Sequence, residues 1–143
     1  MDSLFLDTNI IIRYLTQDDA DKAERSRALL KQVEAGELTL ITSESIVVEI
    51  VQVLSSKVLY NQPRATVARH LSVIVALAKL KLANKRTIVR ALDLWVNAPA
   101  SVDFVDALSV AHMERQQIAT IASFDRDFDR FAQINHYEPP RPD

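Results

Sequence analysis

An α/β fold with a parallel sheet is what this sequence predicts, and three features carry that expectation. Short β-rich runs (SLFL at 3–6, LTLIT at 38–42, IATIA at 118–122) alternate with longer stretches whose apolar residues recur at helical spacing. Such alternation implies parallel strands covered by helices on both faces, because a parallel crossover needs a connection about as long as a helix. The chain has 143 residues, 48% hydrophobic and 25% charged, which suits one ordinary domain with a real core. The expected architecture is an α/β/α sandwich around a central parallel sheet of four to five short strands. It forms a single domain over 1–138, followed by a Pro-rich tail at 139–143.

The elements follow in order. Residues 3–6 read as a short buried strand, and 8–15 as a short helix that Thr8 can cap. A charged helix covers 19–35, with Ala23, Leu30 and Val33 facing inward, and stops near Gly36. LTLIT supplies the second strand. Ser43 caps an apolar helix over 44–58 whose first turn holds Glu44. Pro63 starts a further helix running to about Lys81, with Val67, Leu71, Ile74, Leu77 and Ala78 in register. Residues 81–83 are a weak third strand. A helix at 85–97 presents Ile88, Leu92 and Trp95 on one side, and Pro99 separates it from a helix over 103–116. IATIA is the fourth strand, and 134–136 a last short one.

Composition excludes several chemistries. There is no cysteine, hence no disulfide, zinc–thiolate site or cysteine nucleophile, which fits a cytoplasmic protein. Gly36 is the only glycine, so neither a Walker A loop nor a dinucleotide fingerprint can form. The net charge of −2 provides no global basic field, so any nucleic-acid contact must use a local patch. No apolar run approaches the roughly 20 residues of a membrane span, and Asp2 stands where a signal peptide would be basic.

Carboxylates sit where core is expected. Asp7 follows the first strand in LFLDTNIII, and Asp125 follows the fourth in IASFD. In a parallel sheet both therefore point to the strand C-terminal edge, where α/β proteins bind ligands. Glu49 lies in SIVVEIVQV, a helix apolar on nearly every face; a narrow solvent stripe shared with Gln52 is its plain alternative. Asp103 and Asp106, three apart in VDFVDALSVAHM, are neighbours on one helix face. Asp103 also suits a simple helix cap. Asp127 and Asp129 alternate with Arg126 and Arg130, as in a solvated turn with surface ion pairs.

Taken together, LDTNIIIRYL, the helix carrying Glu49, DFVDALSVAHM and ATIASFDRDFDRF resemble the PIN-domain family, and within it the small VapC-type ribonuclease toxins. The order and spacing cover essentially the whole chain. The resemblance implies an endoribonuclease whose acids, Asp7, Glu49, Asp106 and Asp125, hold Mg²⁺ or Mn²⁺. Asp103 matches an accessory acid. Thr8, Asn9 and Ser123 match polar positions that support the acids; Ser123 stands where threonine is more usual. Elementary electrostatics agrees, since two carboxylates 4 Å apart repel by roughly 4 kcal/mol at an effective dielectric of 20. A divalent cation removes that repulsion, and an all-oxygen ligand set suits a hard ion. Whether one ion or two is held stays open.

Arg13 and Arg126 are the candidates for binding RNA, each close in sequence to one of these acids. Lys22, Arg25, Arg27 and Lys31 can track phosphates, or simply form a solvated helix face. His70, His112 and His136 read as structural or exposed. The resemblance further implies a cognate antitoxin and a homodimer, assembled as a heterotetramer or larger with that antitoxin. Surplus apolar positions on 44–58 and 64–80 supply the interface, a deeper core being the alternative. The rival functions are a PIN-domain RNA-processing nuclease that is not a toxin and a non-catalytic metal-binding interaction module. A phospho-receiver fits poorly, because it lacks DTN and a mid-helix Glu49.

Overall fold

In the computed structural model, which describes residues 3–142, each of the first three strands is followed by a pair of helices. The elements are β1 (Ser3–Phe5), α1 (Thr8–Thr16), α2 (Ala20–Glu34), β2 (Thr39–Ile41), α3 (Glu44–Ser55), α4 (Arg64–Val75), β3 (Leu80–Lys81), α5 (Lys85–Asn97), α6 (Phe104–Gln116), β4 (Thr120–Ala122) and β5 (Asn135–Tyr137). A 3₁₀ turn, Arg126–Arg130, lies between the last two strands. This is the α/β class the alternation implies, and every ladder is parallel. The strands are hydrogen-bonded in two sets, β1-β2-β3 and β4-β5. Strand position is written in local composition, but partner choice for strands of two or three residues is set by tertiary packing.

The described residues fall into two compact units divided after Lys85. In the first, β1, β2 and β3 lie in register, with Leu4 opposite Leu40 and Leu40 opposite Leu80. Buried Thr42 donates its hydroxyl to the Leu6 carbonyl at 3.0 Å, fastening the chain just before Asp7. Ile11, Ile12, Leu30, Val33, Val47, Ile50, Val51, Leu54, Val67 and Leu71 are buried in this unit. The end of α2 shows why its lone glycine matters. Gly36 adopts φ +81°, its N–H donates to Val33 and the next N–H to Gln32, a left-handed cap that releases the chain toward β2.

Two helices stop earlier than periodicity suggests. α3 ends at Ser55, whose hydroxyl bonds back to the Val51 carbonyl at 2.7 Å, and Ser56 leaves the helical region. α4 ends at Val75 rather than near Lys81, because Leu77 and Leu80 take turn hydrogen bonds that deliver Leu80 to the sheet. The apolar surplus of these helices is largely absorbed by the core. Val58, Leu59 and Val73 remain exposed.

The second unit packs Val102, Val110, Phe128 and Phe131 into one cluster, flanked by Leu94, Ala98, Ile121 and Ile134. Trp95 and Phe104 meet edge to face, centroids 5.8 Å apart. Arg90 forks onto both Glu114 oxygens at 2.8 and 3.0 Å, joining α5 to α6. No helix among the described residues is long and apolar enough to cross a membrane.

Candidate metal centre

The second unit gathers acids through two local devices. On α6, Asp103 is the N-cap and accepts the Asp106 N–H at 2.9 Å, while the Asp106 carboxylate faces the Asp103 N–H at 3.4 Å. This reciprocal capping box fixes the Asp106 side chain on the first turn of the helix. After β4, the Ser123 hydroxyl accepts the Asp125 N–H at 2.9 Å, and Asp125 in turn accepts the Asp127 N–H at 2.9 Å. Two successive side-chain turns thus fold S-F-D-R-D back on itself. Phe128, buried among Val102 and Val110, anchors the turn to the unit's core.

The outcome is that one carboxylate oxygen from each of Asp106, Asp125 and Asp127 lies within 4.8 Å of the others. The electrostatic consequence is felt at Asp106, whose carboxyl is pushed up to about 6. Partial burial is the leading cause, followed by the charge of Asp103 and then of Asp125 and Asp127, against a lowering by the Asp103 N–H. Three hard oxygen donors that repel one another are the donor set a divalent cation relieves, so these residues fit a Mg²⁺- or Mn²⁺-type ion.

His136 braces the opposite side of this turn. Its Nδ1 lies 3.0 Å from Asp129 Oδ1 and its Nε2 contacts the Ser123 carbonyl. Both neighbours are acceptors, so both ring nitrogens must donate. The imidazolium is favoured and its pKa is raised, first by the Ser123 carbonyl and then by Asp129.

In the first unit, Asp7 caps α1 by accepting the Thr8 N–H at 2.8 Å. The buried Thr8 hydroxyl donates to Glu49 Oε2 at 3.0 Å. Thr8 therefore bridges Asp7 and Glu49 across α1 and α3. Glu49 is exposed, as is Gln52, so it does occupy a solvent stripe, and this hydrogen bond also gives its side chain a direction. Asn9 is exposed on the first turn of α1.

A family model of the PIN domain matches residues 4–134. The chain belongs to the PIN-domain family. Among solved structures, this PIN domain is similar to Mycobacterium tuberculosis VapC20, a sarcin–ricin loop cleaving toxin, at 21% identity over 87% of this chain and 92% of that one, with a TM-score of 0.38. No curated protein sequence matches it.

Of the acids singled out by sequence, the PIN domain's second unit brings Asp106 and Asp125 together and uses Asp103 as the cap behind them. Asp127, expected to be a solvated turn residue, joins them instead. The signal for it was present: an aspartate two residues before another favours a side-chain turn that draws their carboxylates together, and Phe128 had to face inward. The cations expected to serve RNA are both held by acids. Arg13 pairs with Asp18 at 3.0 Å. Asp18 also accepts from Tyr60 and Thr16, and its carboxyl is lowered to about 2, by Tyr60 first and Arg13 next. Arg126 is 72% exposed and pairs with Glu138 at 3.1 Å and Asp129 at 3.6 Å.

Proposed function

We propose that this PIN domain is an endoribonuclease dependent on Mg²⁺ or Mn²⁺ and that it serves as the toxin of a toxin–antitoxin pair. The observation that carries the reading is the meeting of Asp106, Asp125 and Asp127 oxygens within 4.8 Å in a chain of this family. A divalent ion bound there supplies Lewis-acid polarisation of the phosphodiester and of the attacking water. The chain's own residues do the rest. Asp125 is preset by the turn it caps, Asp127 has its backbone held in that turn, and Asp106 is fixed by its capping box, so less ordering is left for binding. Asp106 keeps its proton up to about pH 6 and surrenders it when positive charge arrives. Asp7 and Glu49 complete the acid set by family resemblance, with Thr8 orienting Glu49. Ser123 holds Asp125 through its hydroxyl.

Arg13 and Arg126 engage RNA phosphates. Solvent-screened ion pairs such as theirs are weak, so a phosphate takes over the guanidinium at little loss. The same proposal includes a homodimer and a cognate antitoxin, for which exposed Val58, Leu59 and Val73 offer apolar surface.

The test is cleavage of an RNA panel with Mg²⁺ or Mn²⁺, with and without chelator. Cutting should require the ion and should fall at least about 100-fold in Asp106→Asn, beyond the 10–100-fold usual for residues that merely support ligands. Asp7→Asn should also abolish it. Metal-dependent cutting that survives both substitutions sinks the proposal. So does a wild-type protein that binds no divalent ion in calorimetry.

A further inference from the structure

One side chain ties together both ends of the turn that carries Asp125 and Asp127. From β5, in register with Ile121 of β4, His136 meets the Ser123 carbonyl with Nε2 and the Asp129 carboxylate, 3.0 Å away, with Nδ1. We infer that His136 is a positioning residue of the metal centre: with a proton on each ring nitrogen it clamps residues 123 and 129 and so fixes Asp125 and Asp127 for the ion. The inference rests on the metal-dependent reading above and gives the clamp a part in ion affinity.

The ring bonds to none of the three clustered acids, but its contacts lead to them. Ser123 is held three ways. Its N–H donates to the Tyr137 carbonyl at 3.0 Å, its carbonyl accepts from His136, and its hydroxyl accepts the Asp125 N–H at 2.9 Å. Asp125 accepts the Asp127 N–H at 2.9 Å, and Asp129 follows two residues later. Phe128 anchors the middle of this turn through the core, whereas His136 fixes its two ends. Without the ring, the Asp129 carboxylate keeps only its pair with exposed Arg126 at 3.6 Å among the described residues.

The ring makes both contacts only as the cation. Both neighbours are acceptors, and a neutral imidazole carries a single N–H. On losing a proton, one nitrogen lone pair would face an oxygen, and that arm of the clamp would open. The side chain is 7% exposed, so water replaces the lost arm poorly. The Ser123 carbonyl favours the cation most and Asp129 next, while the charge of Arg126 in the same turn opposes it. Glu138, just after β5, pairs with Arg126 at 3.1 Å and offsets that opposition. The pKa of His136 is therefore raised above its ordinary 6.5. The clamp is closed below the ordinary value and opens as pH rises through the raised one. A cation near the acids also repels the metal directly, with the opposite sign. Asp129 at 3.0 Å offsets that charge, so position outweighs repulsion.

The test is Mn²⁺ titration of the full chain by calorimetry, from acid to mildly alkaline pH. Wild-type affinity should decline as pH rises through the His136 value. On the acid side of that decline, ¹⁵N NMR of labelled histidine should show both His136 ring nitrogens protonated. The fall in acid that belongs to Asp106 should be common to every variant. His136→Phe keeps a ring and loses both donors. Its affinity should be about 10-fold weaker, the low end of the range for residues that support ligands, and without the alkaline decline. His136→Asn places an amide donor near the Nδ1 position and His136→Gln near Nε2. Each should recover part of the affinity, again without the decline, because an amide does not titrate. Leu94→Ala, which trims a neighbour of the same core, should lower Tm and leave the affinity unchanged. Raising Mn²⁺ about 10-fold should restore cleavage by His136→Phe and should not restore Asp106→Asn. Wild-type affinity in His136→Phe overturns the clamp and leaves the nuclease reading standing. Tighter binding in that variant also overturns it, since charge rather than position would then rule. So does an alkaline decline that persists in all three His136 variants. Wild-type protein that binds no ion overturns the nuclease reading, and the clamp's part in it falls as well.

Discussion

In the first unit Asp7 and Glu49 each face a donor on Thr8, whereas in the second Asp106 sits beside other carboxylates. Asp7 accepts an N–H and Glu49 an O–H, so both anions are met by protein dipoles. Asp106 has only a 3.4 Å approach from the Asp103 N–H and is crowded by Asp103, Asp125 and Asp127. A carboxylate already met by donors is positioned; one surrounded by its own kind is left waiting for positive charge. Residue type and an apolar setting in the sequence are similar in the two regions. What differs is whether the neighbours donate or repel.

The largest expected effect breaks the crowded side through its anchor. Phe128→Ala should cost about 3–5 kcal/mol in urea unfolding and abolish divalent-ion binding, because the turn carrying Asp125 and Asp127 loses its hold on the core. Retained ion affinity in this variant would mean that the side-chain turns alone position the acids.

The next effect sharpens the contrast by pH. Asp106 has a folded pKa of about 6 against an ordinary 3.8, so the folded state binds its proton more tightly than the unfolded one. Its contribution favours folding below the ordinary value and is lost as pH rises through about 6. Asp106→Asn should therefore raise the Tm of the metal-free protein near neutral pH and leave it unchanged in acid. Wild-type ion affinity should fall as pH drops below about 6, where the proton competes with the metal. An Asn variant less stable than wild type at neutral pH would show that Asp106 is not under repulsion.

The smallest effect probes the donor-met side. Thr8→Val keeps the shape and removes the hydroxyl that Glu49 accepts from, which should cost about 1 kcal/mol, recovered by Thr8→Ser. Equal denaturation midpoints for Val and Ser would deny the bridge.

The fold was largely legible because its signals are local. Periodicity marked α5 at its observed bounds, and Gly36 and Ser43 marked an end and a start that the structure keeps. The site was legible in part. Asp106 stood out by interrupting a mostly apolar helix and Asp125 by lying nearest a strand end, and Asp103 fitted a cap. Asp127 was hidden, because a charged alternation such as DRDFDR reads as solvated surface until Phe128 is seen to be buried. Arg13 and Arg126 were visible as cations, but Asp18, Asp129 and Glu138 as their partners were not.

The sequence alone determined the α/β class, the order of elements, the absence of cysteine and glycine-loop chemistry, and two of the three acids that cluster in the second unit, since each follows from residue type and short-range spacing. Tertiary structure alone decided which strands pair, where α3 and α4 stop, that Asp127 joins Asp106 and Asp125, and that Thr8 connects Asp7 to Glu49. Those outcomes depend on groups distant in sequence being held a few ångströms apart. Electrostatics and hydrogen bonding change sharply over that distance, while one-dimensional spacing carries no measure of it.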